Sequence, residues 1–484
     1  MRTSLLALLL APAALACAGD DPTAEATAAA SSSDHATSST AATAAASAAT
    51  TTSSSSEGPT AGTDGTTGAH ESTAGSDGTT SDTATGGVPE IPAHPFASHT
   101  FDYAPGAILP ARPEADLDAA TADFYDTWKD LYLRAGCGDG RYFVKAAIDP
   151  DNRTVSEAHG YGMLLTAIMA GHDPDAQLEF DGLYRFFRDH PSAASPDLMA
   201  WYQDKTCADA MGQDSASDGD LDIAFALLLA DRQWGSCGAI DYRAEALAVI
   251  AAIAEHELDE THAYVLLGDW ATADVLKYHQ ATRSSDFITD HFRSFAAAAG
   301  PASWEGLLDA TYELVAVMQA THAPATGLLP DFIRAPLATP KPAESGFLEG
   351  PTDGAYAYNA CRDPWRLATD FLVSGDPRPR AAVQAMTAWI RQATADDPAQ
   401  IRAGYRLDGA PQQGSGYLTM AFVAPFGPAA MVDADHQTWL DAIWDESIAA
   451  DPEGYYEDTL RLLSMIVMSG NWWPPEASPS VCDP

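Results

Sequence analysis

The chain is predicted to fold as an all-α domain, six helical hairpins closed into an (α/α)6 barrel. Three observations lead there. Twelve segments carry apolar residues at helical spacing, strand-like alternation is scarce, and no short internal repeat is visible. Twelve helices within residues 89–484 are too many for a simple bundle. The missing repeat argues against a solenoid.

Taken in order, residues 1–17 read as an export signal: Met1-Arg2, an apolar run from Leu5 to Ala16, then Cys17. The run is too short to span a bilayer. Ala14-Leu15-Ala16-Cys17 resembles a bacterial lipoprotein cleavage site, with Ala14 where Leu is usual. A lipid anchor on Cys17 is therefore favoured over an ordinary secretory signal, placing the protein outside the cell or on a bacterial surface. Residues 18–88 are mostly Ala, Ser, Thr and Gly, without Leu, Ile, Phe, Tyr or Trp. Such a stretch buries too little apolar surface to offset ordering entropy, so it reads as a disordered tether. Residues 89–115 are proline-rich and irregular.

The helical patterns follow at 117–135, 155–171, 175–190, 219–233, 241–257, 286–298, 303–322, 364–374, 378–394, 414–425, 435–449 and 455–469. Long loops interrupt them at 191–217, 258–285 and 324–362. Loops of this length on a helical ring are where a site is built.

The chain has 68 acidic and 25 basic residues, a formal charge of −43. The first 88 residues hold 9 acids and one base, which leaves 59 acids against 24 bases in residues 89–484. The acidity belongs to the folded part. Phosphate backbones would be repelled, so no nucleic-acid partner is expected, whereas a cationic polymer would be attracted. Of six cysteines (17, 137, 207, 237, 361, 482), five remain if Cys17 is lipidated, so at least one is unpaired within the chain. None has zinc-knuckle spacing.

Three constellations carry chemistry. The stretch Ser215 to Trp234 places Asp218, Asp220 and Asp222 at the start of an apolar helix. Each acid is read either as catalytic or as a cap or solvated side chain. A calcium loop is excluded, because its sixth position is Ile223 instead of Gly and its twelfth Leu229 instead of Glu. The second is Ser156-Glu157-Ala158-His159-Gly160-Tyr161-Gly162-Met163, an acid at a helix start beside glycines. The third runs from Phe347 to Arg366 and includes Glu349, Asp353, Tyr358, Asn359 and Arg362.

Together these stretches resemble glycoside hydrolase family 8. Ala216 to Trp234 matches that family's signature, and Ser156 to Met163, Leu329-Pro330-Asp331, Arg362 with Trp365-Arg366, and Leu460 to Leu463 match further blocks. The resemblance covers roughly residues 115–473 and implies an (α/α)6 barrel that hydrolyses β-1,4-glycans with inversion. It makes Glu157 the general acid and Asp218 the acid that binds and distorts the sugar. The better-known branch takes its base from an Asp in Tyr-Asp-Ala-x-Arg; here the segment is Tyr358-Asn359-Ala360-Cys361-Arg362. A second branch with Asn at this place takes its base from an inserted loop. That loop looks like Pro340 to Gly354, which offers Glu344, Glu349 and Asp353. Glu349, in Phe347-Leu348-Glu349, is assigned as the base, with Glu344 in reserve.

Inversion needs one carboxylic acid at the glycosidic oxygen and one carboxylate activating water on the opposite face. Sugar rings present apolar faces, so Trp201, Trp270, Tyr358, Tyr455 and Tyr456 are read as substrate-binding, with Asn359 and Arg362 beside them. Trp128 and Trp234 are read as core. No cofactor or metal enters this reading, and the chain is expected to act as a monomer on a polysaccharide, chitosan or a β-glucan such as cellulose. The rivals are a polysaccharide lyase on a similar barrel, which the shortage of bases disfavours, and a catalytically impaired glycan-binding lipoprotein.

Overall fold

The computed structural model describes residues 92–475. The expected export signal, the expected tether and Cys17 lie outside the described residues. In chain order the helices are α1 Glu114–Tyr132, α2 Ser156–Ile168, α3 Ala176–Asp189, α4 Ser217–Trp234, α5 Tyr242–His256, the one-turn α6 Leu276–His279, α7 Thr289–Ala299, α8 Pro301–His322, α9 Asp363–Ser374, α10 Pro377–Thr394, α11 Met420–Val423, α12 Phe426–Ala430, α13 Gln437–Ala449 and α14 Tyr455–Met468.

Their packing closes a ring. α2 lies against α4, α4 against α7, α7 against α9, α9 against α12, α12 against α14, and α14 returns to α2. Around it, α1 packs on α14, α3 on α2, α5 on α4, α8 on α7, α10 on α9 and α13 on α12. This is the (α/α)6 barrel. The inner helices α2 and α4 are covered on nearly all sides, which is why their sequences are mainly apolar with little polar face. Every residue of α2 except Glu157 is buried, and every residue of α4 except Arg232.

One expectation needs correction. The helix predicted at 414–425 is instead a loop up to Thr419, then α11 and α12, which together fill one inner position. Gly414 and Gly416 disfavour a helical start there, and Pro425 lacks the N–H needed to continue α11. Strands are few and short, as expected; among the described residues there are seven: β1 Leu133–Ala135, β2 Tyr142–Val144, β3 Asn152–Val155, β4 Tyr202–Asp204, β5 Ala281–Arg283, β6 Phe332–Arg334 and β7 Lys341–Pro342. They form the antiparallel pairs β1–β2 and β3–β4 and the three-stranded β5–β6–β7. None exceeds four residues, too few for alternation to register. They tie the long loops to the barrel rim.

Beside the main core sits a smaller one, containing Leu266, Phe332 and Phe347, with Trp270 and Leu348 packed against it. It joins the loop after α5 to the loop after β7. Trp128 and Trp234 are buried in the main core, as expected. Cys137 is bonded to Cys207, Cys237 is also disulfide-bonded, and Cys361 is a buried thiol. Among the described residues no helix is long and apolar enough to cross a membrane.

α2 and α4 cross at two glycines. A Cβ on Gly219 would lie 2.6 Å from Ser156 Oγ, and one on Gly160 would lie 2.7 Å from Asp222 Cβ and 2.9 Å from the Gly219 carbonyl oxygen. Only bare backbones can approach so closely, and the approach brings the first turns of the two helices together. Gly219→Ala is expected to lower stability by about 1–3 kcal/mol through overpacking. Urea unfolding measures this. An unchanged midpoint would mean that the crossing is looser than its geometry indicates.

Candidate active site

Glu157 and Asp218 stand in the first turns of α2 and α4. The crossing sets them side by side, and one guanidinium joins them. Arg362 Nη1 donates to Glu157 Oε2 at 2.7 Å and to Asp218 Oδ2 at 3.1 Å, with Tyr161 OH at 3.2 Å. Its other nitrogen, Nη2, donates to Ser285 Oγ and to Asn359 Oδ1, both at 2.9 Å. Asn359 Nδ2 then donates to Glu349 Oε2 at 2.8 Å. The amide orientation is fixed by its neighbours: only its oxygen can serve Arg362 and only its NH2 can serve a carboxylate. Arg283, on β5, closes the group, with Nη1 3.4 Å from Asp218 Oδ2 and 4.0 Å from Glu349 Oε1.

Three carboxyl groups thus meet two guanidiniums, in different electrostatic settings. Burial works against ionisation of Asp218, but Arg283 and Arg362 outweigh it and hold the group below the usual carboxylate range. Burial raises Glu157, the neighbouring Asp218 charge adds to this, and Arg362 and the Tyr455 hydroxyl pull it back only partly. Tyr455 OH donates to Glu157 Oε1 at 2.8 Å. Glu349 is also raised, again by burial first, against the pull of Arg283 and Asn359. Both glutamates keep partial solvent access, 18% for the Glu157 side chain and 22% for Glu349, while Arg362 is only 2% exposed.

The arrangement suits general acid–base work. One carboxyl, Glu157, can hold its proton beside a carboxylate that cannot; another, Glu349, is a strengthened base.

The other predicted residues divide. Tyr455 touches Glu157. Tyr456 donates its hydroxyl to the Tyr358 carbonyl and lies under Arg362, 5.9 Å from ring centroid to guanidinium carbon. The Tyr358 hydroxyl meets that of Tyr417 at 2.7 Å. Trp201 is half-buried beside the start of α2, where its carbonyl accepts the Ser156 N–H at 2.9 Å. Trp270 packs edge-on against Tyr278, centroids 5.1 Å apart, over the smaller core. Glu344 stands outside this cluster, 59% exposed and paired with Arg334 at 2.9 Å. Asp353 is buried, with both oxygens on backbone amides.

Asp220 and Asp222 overturn the cap-or-solvent reading, for both are wholly buried. Asp222 accepts from Arg366 at 2.6 Å and shares a hydrogen bond with His291 at 3.0 Å, linking α4 to α9 and α7. Asp220 accepts the Met199 N–H at 2.8 Å. Burial and the nearby Glu257 push Asp220 up, and burial takes Glu257 itself to about 8. Both acids brace the barrel wall behind the site.

Sequence reasoning gave no role to Arg283, Tyr161, Ser285 or Asp331. Asp331 Oδ1 accepts the N–H groups of Ala357, Asn359 and Ala360 at 3.1, 3.2 and 2.8 Å, which fixes the turn carrying Asn359. Tyr161 and Asp331 lay within matched blocks, which was the available signal. Arg283 had none.

Comparison with known proteins identifies the family. The model of "Glycosyl hydrolases family 8" matches residues 114–470. A β-glucanase of Niallia circulans is 45% identical over 383 residues, 79% of this chain and 92% of the relative. An endoglucanase of Bacillus sp. (strain KSM-330) is 36% identical over 374 residues, 75% of this chain and 78% of the relative. The apo structure of a β-1,3-1,4-glucanase from Paenibacillus sp. X4 superposes with a TM-score of 0.76 at 44% identity, covering 79% of this chain and all of that one. The barrel and these likenesses together place the chain in glycosyl hydrolase family 8, and it is a glycoside hydrolase.

Proposed function

We propose that the chain is an endo-acting, inverting β-glucanase in which Glu157 is the general acid and Glu349 the general base. The observation that carries the reading is the continuous hydrogen-bonded path from Glu157 through Arg362 and Asn359 to Glu349. Where an Asp base would stand in the better-known branch, Asn359 serves instead to orient a carboxylate from the neighbouring loop.

In the reaction, Glu157 gives its proton to the glycosidic oxygen as the C–O bond breaks. Glu349 takes a proton from water as the water oxygen attacks the anomeric carbon from the opposite face. Before the next turnover Glu157 regains a proton from solvent and Glu349 releases one to it, so each returns to its starting state. Inverting pairs lie about 6.5–9.5 Å apart with substrate bound, which leaves room for that water. Asp218, ionised beside two guanidiniums, receives the hydroxyls of the sugar at the cleavage point. Trp201, Trp270, Tyr358, Tyr455 and Tyr456 offer faces and hydroxyls along the chain.

The named activities of the relatives favour β-glucan, while the acidity of the domain favours cationic chitosan. Reducing-end release from mixed-linkage β-glucan, carboxymethyl cellulose and chitosan, assayed side by side, decides between them. Release is expected from β-glucan, with viscosity falling faster than reducing ends appear. Release from chitosan alone would move the substrate. Silence on all three would favour a glycan-binding role. We further infer export, which suits the bonded Cys137, Cys207 and Cys237, because disulfides persist in oxidising compartments.

A further inference from the structure

We infer that Asp353 is a positioning residue that sets the carboxylate of Glu349 by holding the peptide N–H groups on either side of it; this rests on Glu349 being the base. Glu349 stands on no helix or strand, so nothing regular fixes its direction. Asp353 supplies what the loop lacks. Its Oδ2 accepts the N–H of Leu348 at 2.7 Å and its Oδ1 the N–H of Gly350 at 2.8 Å. One carboxylate thus spans the residue before Glu349 and the residue after it.

The clamp is itself anchored. The Asp353 carbonyl accepts the N–H of Phe332 on β6 at 2.9 Å. Phe332 packs against Phe347, centroids 5.6 Å apart, within the smaller core. At Gly354 the backbone is so close to β7's continuation that a Cβ would meet the Ala343 carbonyl oxygen at 2.1 Å. Asp353 is 1% exposed, so the clamp is shielded from water. The path runs from β6 through Asp353 to the two peptides that flank Glu349.

The clamp also carries charge. The groups that face Glu349 are Arg283 from β5, Arg362 and Asn359 from the turn before α9, Asp331 from the residue before β6, and Asp353 from its own loop. The two arginines and the amide favour the ionised base; Asp353 and Asp331 oppose it. Asp353 therefore makes Glu349 a stronger proton acceptor while fixing its place.

Asp353→Asn keeps the shape, loses the charge and sets an NH2 group against one of the two amides. It is expected to fold, to lower kcat by up to ~10²-fold with KM little changed, and to move the acidic limb of the kcat/KM profile to lower pH. The sign follows from the charge: removing a negative neighbour lowers the pH at which Glu349 protonates. A kcat and an acidic limb both at wild-type values would overturn the inference. So would a loss of kcat matched by a loss of folded protein with the limb unmoved. Should D353N not fold, Asp353→Ser, which can still accept from one amide, carries the same readouts. Glu349→Ala assayed alongside keeps two failures apart. An inactive E349A with a wild-type D353N overturns the positioning role and leaves the base in place. An active E349A overturns both.

Discussion

Glu157→Gln is expected to lower kcat on an unactivated glycan by about 10²–10⁴-fold, the usual contribution of a general acid. The fold should survive. Glu157 is the one residue of α2 that is not buried, and a Gln oxygen can still accept from Arg362, which keeps Asp218 as its other partner. What is lost is the proton. The pH profile gives the same test in the wild type. Burial and the Asp218 charge raise Glu157 above the ordinary glutamate range, so the protonated acid persists at pH values where a solvated Glu has lost it. Activity falls as pH rises through that value, and in E157Q this alkaline limb should vanish. Substrates with good leaving groups need less proton donation and should lose less. Wild-type turnover of polymer by E157Q would remove Glu157 from the mechanism.

Glu349→Ala should cost at least as much. Nothing else in the cluster can take the water's proton: Asn359 is an amide, Asp218 is held ionised and weakly basic by two guanidiniums, and Asp353 has both oxygens on backbone amides. Glu344→Ala is the matched control, since Glu344 is exposed on the Arg334 side of the loop and outside the cluster. It should stay near wild type. Rates of all three loop variants, Glu344→Ala, Glu349→Ala and Asp353→Asn, on one substrate order the loop acids by role.

Much of this was legible in the sequence because the pieces are local. The helices announced themselves by apolar spacing, and Glu157 and Asp218 stand in first turns whose flanking glycines permit the crossing of α2 and α4. Asn359 could be read as an amide where a carboxylate was expected. What could not be read is what folding brings together. Arg362 is 205 residues from Glu157 and 144 from Asp218, and one guanidinium serves both. Arg283 sits in a loop with no pattern around it, and only the β5–β6 pairing brings it to the site. Asp220 and Asp222 looked like Asp218 in the sequence, three acids on alternate positions. Helical geometry turns Asp220 to the other side of α4, where it accepts from Met199, and sets Asp222 one turn along the same face as Asp218, where it accepts from Arg366. At 414–425 the apolar spacing suggests a helix, but Pro425 lacks the N–H to continue one and divides α11 from α12.

The pairing of Glu157 with Glu349 across the cleft is tested most directly by azide rescue of Glu349→Ala. Azide is a nucleophile that needs no base to deprotonate it, so it can stand in for the water that Glu349 is proposed to activate. Glu157 remains to protonate the leaving group. With a β-linked glucan oligosaccharide carrying a good leaving group, E349A plus azide is expected to regain turnover and to yield the α-glycosyl azide, its anomeric configuration read by proton NMR. A β-glycosyl azide, or turnover by E349A that azide leaves unchanged, would contradict the account.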